Sequence, residues 1–244
     1  MNIITASNYN TLSQIAAQKA ADYIRGNPNS LVCFAAGDTP LGMFKELIAM
    51  QNRGEIDLSS IWYVGLDEWV GLGSNDVGSC VKVMTDNFYE PAGISKERIR
   101  LFDGLALDIN RECREMENWI VFHGGIGLTL LGVGMNGHIG FNEPGTPEQE
   151  GCFTVELDNT TKIVSAKYFG KELPVSMGVT IGWKTLMKAD RVVIMACGEK
   201  KASIMEAVIE GEVSLEIPGS LFRQHPNVVF LLDDGAATGL SIEL

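Results

Sequence analysis

The chain has 244 residues, 45% of them hydrophobic and 20% charged, a globular composition that excludes a disordered polymer. Its net charge of −12 excludes a nucleic-acid binder, which needs a basic face, and no apolar run approaches the roughly 20 residues that span a bilayer. The five cysteines form no C-x-x-C and the three histidines lack ligand spacing, so neither disulfides nor a structural metal is expected.

The start, Met1 to Thr5, has no basic stretch and no apolar signal core, so a cytoplasmic location is expected. Leu12, Ile15, Ala16, Ala20, Tyr23 and Ile24 share one helical face behind the polar residues Asn8 to Thr11, and Asn27-Pro28-Asn29 ends that helix. Leu31 to Ala35 reads as a fully buried strand. The turn Ala36-Gly37-Asp38-Thr39-Pro40 follows, then a helix with Leu41, Phe44, Leu47 and Ile48 inward. Thr39 suits the N-cap and Pro40 the first helical position. A strand, a glycine turn and a helix start together make an anion cradle, or else an ordinary αβ connection.

Ile61 to Leu66 is a second strand, ending in Asp67-Glu68-Trp69. Adjacent strand residues point to opposite faces, so at most one of the two carboxylates faces a site; the bland alternative is a solvated loop acid. A helix near 78–90, an extended piece at 98–102 and a helix over 108–122 come next. After them the apolar run Leu128 to Val133 ends in glycines and delivers Asn136, His138 and Glu143 within eight residues. A strand follows at 152–157, a short extended segment at 176–181, a short helix near 182–187, and a buried strand from Arg191 to Cys197. Gly198 opens another helix, whose first turn holds Lys201. This lysine either reaches an anion above the strand or is simply solvated. Pro218 to Leu221 suggests a short turn or helix, and Val228 to Leu232 a last strand. With no repeat, linker or low-complexity stretch, residues 1–244 read as a single α/β domain with a doubly wound, mostly parallel sheet.

Gly132-x-Gly134-x-x-Gly137 matches a dinucleotide fingerprint in form, with Glu156 and Asp158 about twenty residues on. The residues that should form its crossover helix include Pro144, Gly145 and Pro147, which argues against a dinucleotide cofactor. His138 is either an idle turn residue or, flanked by an amide and a carboxylate, a general acid/base.

The run Leu131 to Gly145, with Asn136-Gly137-His138-Ile139-Gly140-Phe141-Asn142-Glu143-Pro144-Gly145 at its centre, resembles the glucosamine-6-phosphate deaminase (isomerase) family. So do Leu66 to Leu72, the turn Gly37 to Pro40, Gly178 to Gly182, Gly198 to Ala202 and Leu221 to Pro226. The resemblance implies isomerising deamination of an amino-sugar phosphate, without cofactor or metal. It implies His138, with Glu143 as its partner, for ring opening, and Asp67 for moving the C2 proton. Gly37, Asp38 and Thr39 would cradle the phosphate, with Lys201 supplying charge. Asn136 stands where long members carry an aspartate, and Lys167 where the family has a phosphate-binding arginine. Trp69 and Ser79-Cys80 replace tyrosines and look more like the galactosamine-6-phosphate enzymes. The short tail makes regulation by N-acetylglucosamine 6-phosphate unexpected, and homo-oligomerisation is left open. Glucosamine 6-phosphate is the first substrate choice and galactosamine 6-phosphate the second. The rivals are 6-phosphogluconolactone hydrolysis, from cousins that share the fold, and a sugar-phosphate sensor. The latter would have no use for a base.

Overall fold

Strands that are apolar at every position belong in a sheet covered on both faces. The computed structural model describes residues 1–149, 151–169 and 175–241, without the side chains of 166 and 167. Its strands are β1 Asn2–Ala6, β2 Leu31–Phe34, β3 Trp62–Gly65, β4 Asp67–Trp69, β5 Ile99–Arg100, β6 Ile126–Gly132, β7 Cys152–Glu156, β8 Met177–Ile181, β9 Arg191–Ala196 and β10 Val228–Asp233. Seven of them form a parallel sheet in the order β1-β10-β9-β6-β2-β3-β5. The remaining three form a small antiparallel sheet, β4-β8-β7.

The helices are α1 Tyr9–Gly26, α2 Leu41–Asn52, α3 Cys80–Met84, α4 Ile109–Phe122, α5 Asn159–Phe169, α6 Trp183–Leu186, α7 Ala202–Ile209, α8 Pro218–Leu221 and α9 Asp234–Ala237. Alternate strand residues feed two cores. Val32, Phe34, Leu128 and Leu130 pack with Leu12, Ala16, Phe44 and Leu47 of α1 and α2. Leu31, Cys33, Leu131 and Ile194 pack on the other side with Met116, Met205, Val179 and Ile181. The sheet is therefore wound on both faces, as expected from the α/β alternation.

Three features depart from the sequence-based expectation. The small sheet is antiparallel and covers one face, where a strand at 152–157 and an extended segment at 176–181 were expected and Asp67 to Trp69 were read as the end of the second strand. β1 was not expected at all; it pairs in parallel with β10 from Asn2↔Val229 to Ala6↔Asp233. α1 starts at Tyr9 because Asn8 accepts the Thr11 N–H at 3.0 Å and so caps it earlier than the apolar pattern begins. Among the described residues, no helix is long and apolar enough to cross a membrane.

From β2 the chain moves outward through β3 to β5. It then returns to β6, beside β2, and moves the other way through β9 to β10. The loops leaving the C-terminal ends of β2 and β6 thus part company, and open α/β sheets bind ligands in the crevice this leaves.

Candidate active site

A cavity of about 360 Å³ occupies that crevice. Gly37, Asp38 and Thr39 after β2, Asp67 at the start of β4, Asn136 and His138 after β6, and Lys201 before α7 all line it. Glu143 lies behind His138, hydrogen-bonded to it. Lys167 falls in α5, but its side chain lies outside the described residues.

At one end of the cavity Gly37 adopts φ +107°, a conformation that favours glycine. The expectation for Thr39 and Pro40 needs correcting: α2 begins at Leu41, Pro40 holds the cap position, and no side chain caps it. Tyr9 of α1 does this work instead. Its hydroxyl accepts the Gly42 N–H at 2.8 Å and donates to the Asp38 carbonyl at 3.2 Å. Thr39 is left facing the cavity. Nearby, the Asp233 carboxylate accepts the Gly198 N–H through both oxygens, at 2.8 and 3.0 Å, and fixes the turn that carries Lys201. The Lys201 ammonium donates to the Val133 carbonyl at the end of β6. This end offers a glycine turn, a hydroxyl and a cation, which together suit an anion.

The loop after β6 is folded by its glycines. The Gly134 N–H bonds the His138 carbonyl at 2.9 Å, and a Cβ on Gly134 would come within 2.1 Å of His138 Cδ2. The imidazole therefore rests on bare backbone. Buried Asn142 anchors the loop by donating to the Ile139 and Ile181 carbonyls, both at 2.9 Å, and accepting the Trp183 N–H at 2.8 Å. No helix follows Gly137 through Gln149, so the dinucleotide fingerprint lacks its crossover helix, as the prolines foretold.

His138 Nδ1 lies 3.0 Å from Glu143 Oε2. With a carboxylate at that distance, Nδ1 carries the proton and donates it, which leaves Nε2 as the ring nitrogen for chemistry in the cavity. Asn136 Nδ2 donates to the same Glu143 oxygen at 2.8 Å and to Asp158 Oδ1 at 3.2 Å. Thr161 Oγ1 sits 3.1 Å from His138 Nδ1 and accepts from Asn136 Nδ2 at 3.4 Å. Burial pushes the Glu143 carboxyl up, yet the His138 hydrogen bond and charge, with help from Thr161 and Asn136, outweigh it and hold the group below its ordinary value. Glu143 is a fixed anion behind the imidazole.

Asp67 and Glu68 point to opposite faces of β4, as the strand geometry requires. Glu68 is 0% exposed and accepts from Trp69 N–H at 2.7 Å, Ser79 Oγ at 2.6 Å, Cys80 N–H at 3.0 Å and Val81 N–H at 2.9 Å. It is a buried clamp on the first turn of α3, not a solvated loop acid. Asp67 faces the cavity, and its pKa is raised from 3.8 to about 7. Burial is the main cause and the Glu68 charge adds to it, while a hydrogen bond from Cys80 and the charge of His138 pull the other way. A carboxyl poised near neutrality can take up a proton and return it.

Trp69 and Phe141, with ring centroids 4.6 Å apart, form part of the wall. The Trp69 indole N–H is committed to the Gly78 carbonyl at 3.1 Å, so this side chain turns its ring to the cavity. Thr161 was not singled out from the sequence as a site residue, and Cys80 was noted only as part of Ser79-Cys80, which replaces a tyrosine. Asp158 was noted only for its distance from the glycines. α5 brings Thr161 in, and nothing in the sequence announced that helix.

Known proteins align with this arrangement over nearly the whole chain. The sequence profile of the family described as glucosamine-6-phosphate isomerases/6-phosphogluconolactonase matches residues 6–230. A glucosamine-6-phosphate deaminase of Clostridium perfringens (strain 13 / Type A) is 37% identical over 239 residues, covering 97% of this chain and 98% of that protein. The solved structure of a monomeric glucosamine-6-phosphate deaminase superposes with a TM-score of 0.94 at 34% identity, covering 98% of this chain and 100% of its own. A solved 6-phosphogluconolactonase from Leishmania guyanensis has a TM-score of 0.78 at 18% identity, covering 99% of each chain, a likeness of fold alone.

Proposed function

Because this chain belongs to the glucosamine-6-phosphate isomerase/6-phosphogluconolactonase family, we propose that its cavity carries out the isomerising deamination of a hexosamine 6-phosphate. Glucosamine 6-phosphate and water become fructose 6-phosphate and ammonia. The observation that carries the reading is one meeting: the His138–Glu143 pair and Asp67 share a cavity whose other end is the Gly37–Thr39 turn with Lys201.

The chemistry follows from what each group can do. Opening the pyranose requires a proton on the ring oxygen as the O1 proton leaves. His138 Nε2 can exchange both, because Glu143 holds the opposite nitrogen and stabilises the imidazolium. The open aldehyde then acidifies the C2 hydrogen. Asp67, in its carboxylate form, which gains as pH rises through about 7, removes that proton to give an enolamine and delivers it to C1. The resulting C2 imine adds water and expels ammonia, leaving the ketose. Every step is a proton transfer or a hydrolysis, so the scheme calls for no redox cofactor. Lys201 and the turn at Gly37, Asp38 and Thr39 hold the phosphate, fixing C2 beside Asp67.

A second reading, the galactosamine 6-phosphate epimer with tagatose 6-phosphate as product, draws on Trp69. Its indole N–H is committed to Gly78, so it presents an aromatic face where the resemblance places a tyrosine. Ammonia release from the two amino-sugar phosphates, measured side by side with 6-phosphogluconolactone hydrolysis, tests all of this. Faster release from glucosamine 6-phosphate supports the main reading, and faster release from its epimer the second. Lactone hydrolysis without ammonia release from either sugar would end both.

A further inference from the structure

Asp158 drew notice in the sequence only for its distance from the glycines, and the proposed reaction does not use it. It stands just before α5 as a helix cap. Its backbone carbonyl accepts the Lys162 N–H at 2.9 Å, and its Oδ1 accepts the Thr160 N–H at 2.8 Å. The same Oδ1 also accepts from Asn136 Nδ2 at 3.2 Å, across 22 residues of sequence. Asn136 has other partners as well. Its Oδ1 accepts the His138 N–H at 3.3 Å, and its Nδ2 donates to Glu143 Oε2 at 2.8 Å and reaches Thr161 Oγ1 at 3.4 Å. A carboxamide nitrogen carries two hydrogens and ionised carboxylates only accept, so the NH2 must face the two acids. The two shortest contacts give one hydrogen to Glu143 and the other to Asp158.

We infer that Asp158 is a positioning residue for the His138–Glu143 pair, acting through the Asn136 carboxamide. By taking the second amide hydrogen it keeps the first on Glu143 Oε2, the same oxygen that holds Nδ1 of the imidazole. This rests on the reading of His138 and Glu143 as the acid/base pair. The terminal torsion of an asparagine is soft, so the amide needs partners on both sides to keep its aim. Without Asp158, the bond to Glu143 would be steadied only by the two longer contacts, to His138 and Thr161. Among the described residues, Asp158 lies outside the cavity lining, whereas Thr160 and Thr161 of α5 belong to it. Asp158 therefore has one rival role, as a cap that merely shapes α5, and only the role proposed needs Asn136.

The test is a double-mutant cycle on kcat and KM for ammonia release from the amino-sugar phosphates, with Asp158→Ala, Asn136→Ala and the pair. Asp158→Ala should lower kcat by ~5-fold or more with KM within about twofold, and in the Asn136→Ala background the same change should cost less than about twofold. Asp158→Asn, which keeps an acceptor oxygen, should restore most of kcat. An equal loss with and without Asn136, or a loss confined to KM, would leave Asp158 as a cap alone and overturn the inference. A second readout needs no turnover. In 1H–15N spectra of histidine-labelled protein, with His138 assigned by its loss in His138→Gln, the Nδ1 and Nε2 shifts should move in Asp158→Ala. They should not move when Asp158→Ala is added to Asn136→Ala. Unmoved shifts in the single variant would also overturn the inference. A wild type that releases no ammonia from either sugar ends the proposed reaction, and the spectra alone then decide for or against Asp158.

Discussion

Nδ1 of His138 and Oε2 of Glu143 stand 3.0 Å apart, and Asn136 and Thr161 both bond within the same pair. The imidazole is thus held by an anion that is itself held, which fixes both its tautomer and its aim. Glu143→Gln keeps the shape and removes the charge. Turnover should fall by ~10²–10³-fold with KM within about threefold, as for loss of a general acid/base arrangement. Asn136→Asp should cost less than ~10-fold, because a third carboxylate crowded against Glu143 and Asp158 takes up a proton and can rebuild the bridge. Steady-state kinetics on both variants decide the order, and equal turnover of Glu143→Gln and wild type would remove Glu143 from the chemistry.

Asp67→Asn should abolish turnover, by ~10³-fold or more, and yet stabilise the protein in alkali. The Asp67 pKa is raised from 3.8 to about 7, so the folded state favours its protonated form. That contribution is complete below about pH 4 and is lost as pH rises through about 7. At ~1.36 kcal/mol per unit the ceiling is roughly 4 kcal/mol at high pH, reduced by solvent reaching the cavity. Thermal melts at about pH 5 and 8.5 should show the variant gaining more on the wild type at the higher pH. A gain of equal size at both would contradict the sign.

Gly134→Ala places a methyl 2.1 Å from His138 Cδ2 and 2.2 Å from Nε2. No such contact survives, so the ring must move off its line with Glu143. The expected result is a folded protein with kcat reduced ~10²-fold or more, since small misplacements of a catalytic group cost that much. A far-ultraviolet spectrum like that of the wild type, together with unchanged kcat, would show that the ring tolerates displacement.

Lys201→Met tests the anion end. KM for the sugar phosphate should rise ~10-fold or more while kcat changes less than about threefold, the pattern of lost uniform binding. Inorganic phosphate should inhibit the wild type better than the variant. Equal inhibition would place the phosphate elsewhere in the cavity.

What could be read in advance followed from burial. β2, β6, β9 and β10 are mostly apolar because both faces of the sheet are covered, and such runs announce themselves. β1 sits at the sheet edge and exposes Asn2 and Thr5, so its five residues carry no such signature. α5 reads inside out. Thr161 and Ser165 are 6% and 4% exposed while Ile163 is 76% exposed, because its inner face lines the cavity rather than a core. An apolar-face search passes over such a helix, and Thr161 went with it. Alternation told that Asp67 and Glu68 part ways, but only the packing of α3 shows which one is clamped. The misplaced cap at Thr39 has a similar origin, since the deciding hydroxyl belongs to Tyr9, far away in sequence.

The strand order also dictates a sequence of maturation. β1, synthesised before β10, has it as its neighbour, so Ile3 and Ile4 wait for Phe230 and Leu231 before their backbone is paired. Asp67 and His138 belong to segments that leave the ribosome well before Gly198 to Lys201, and the Asp233 that steadies that turn comes later still. A nascent chain therefore acquires its acids and imidazole before it can hold a phosphate, and catalysis waits for the C-terminal third.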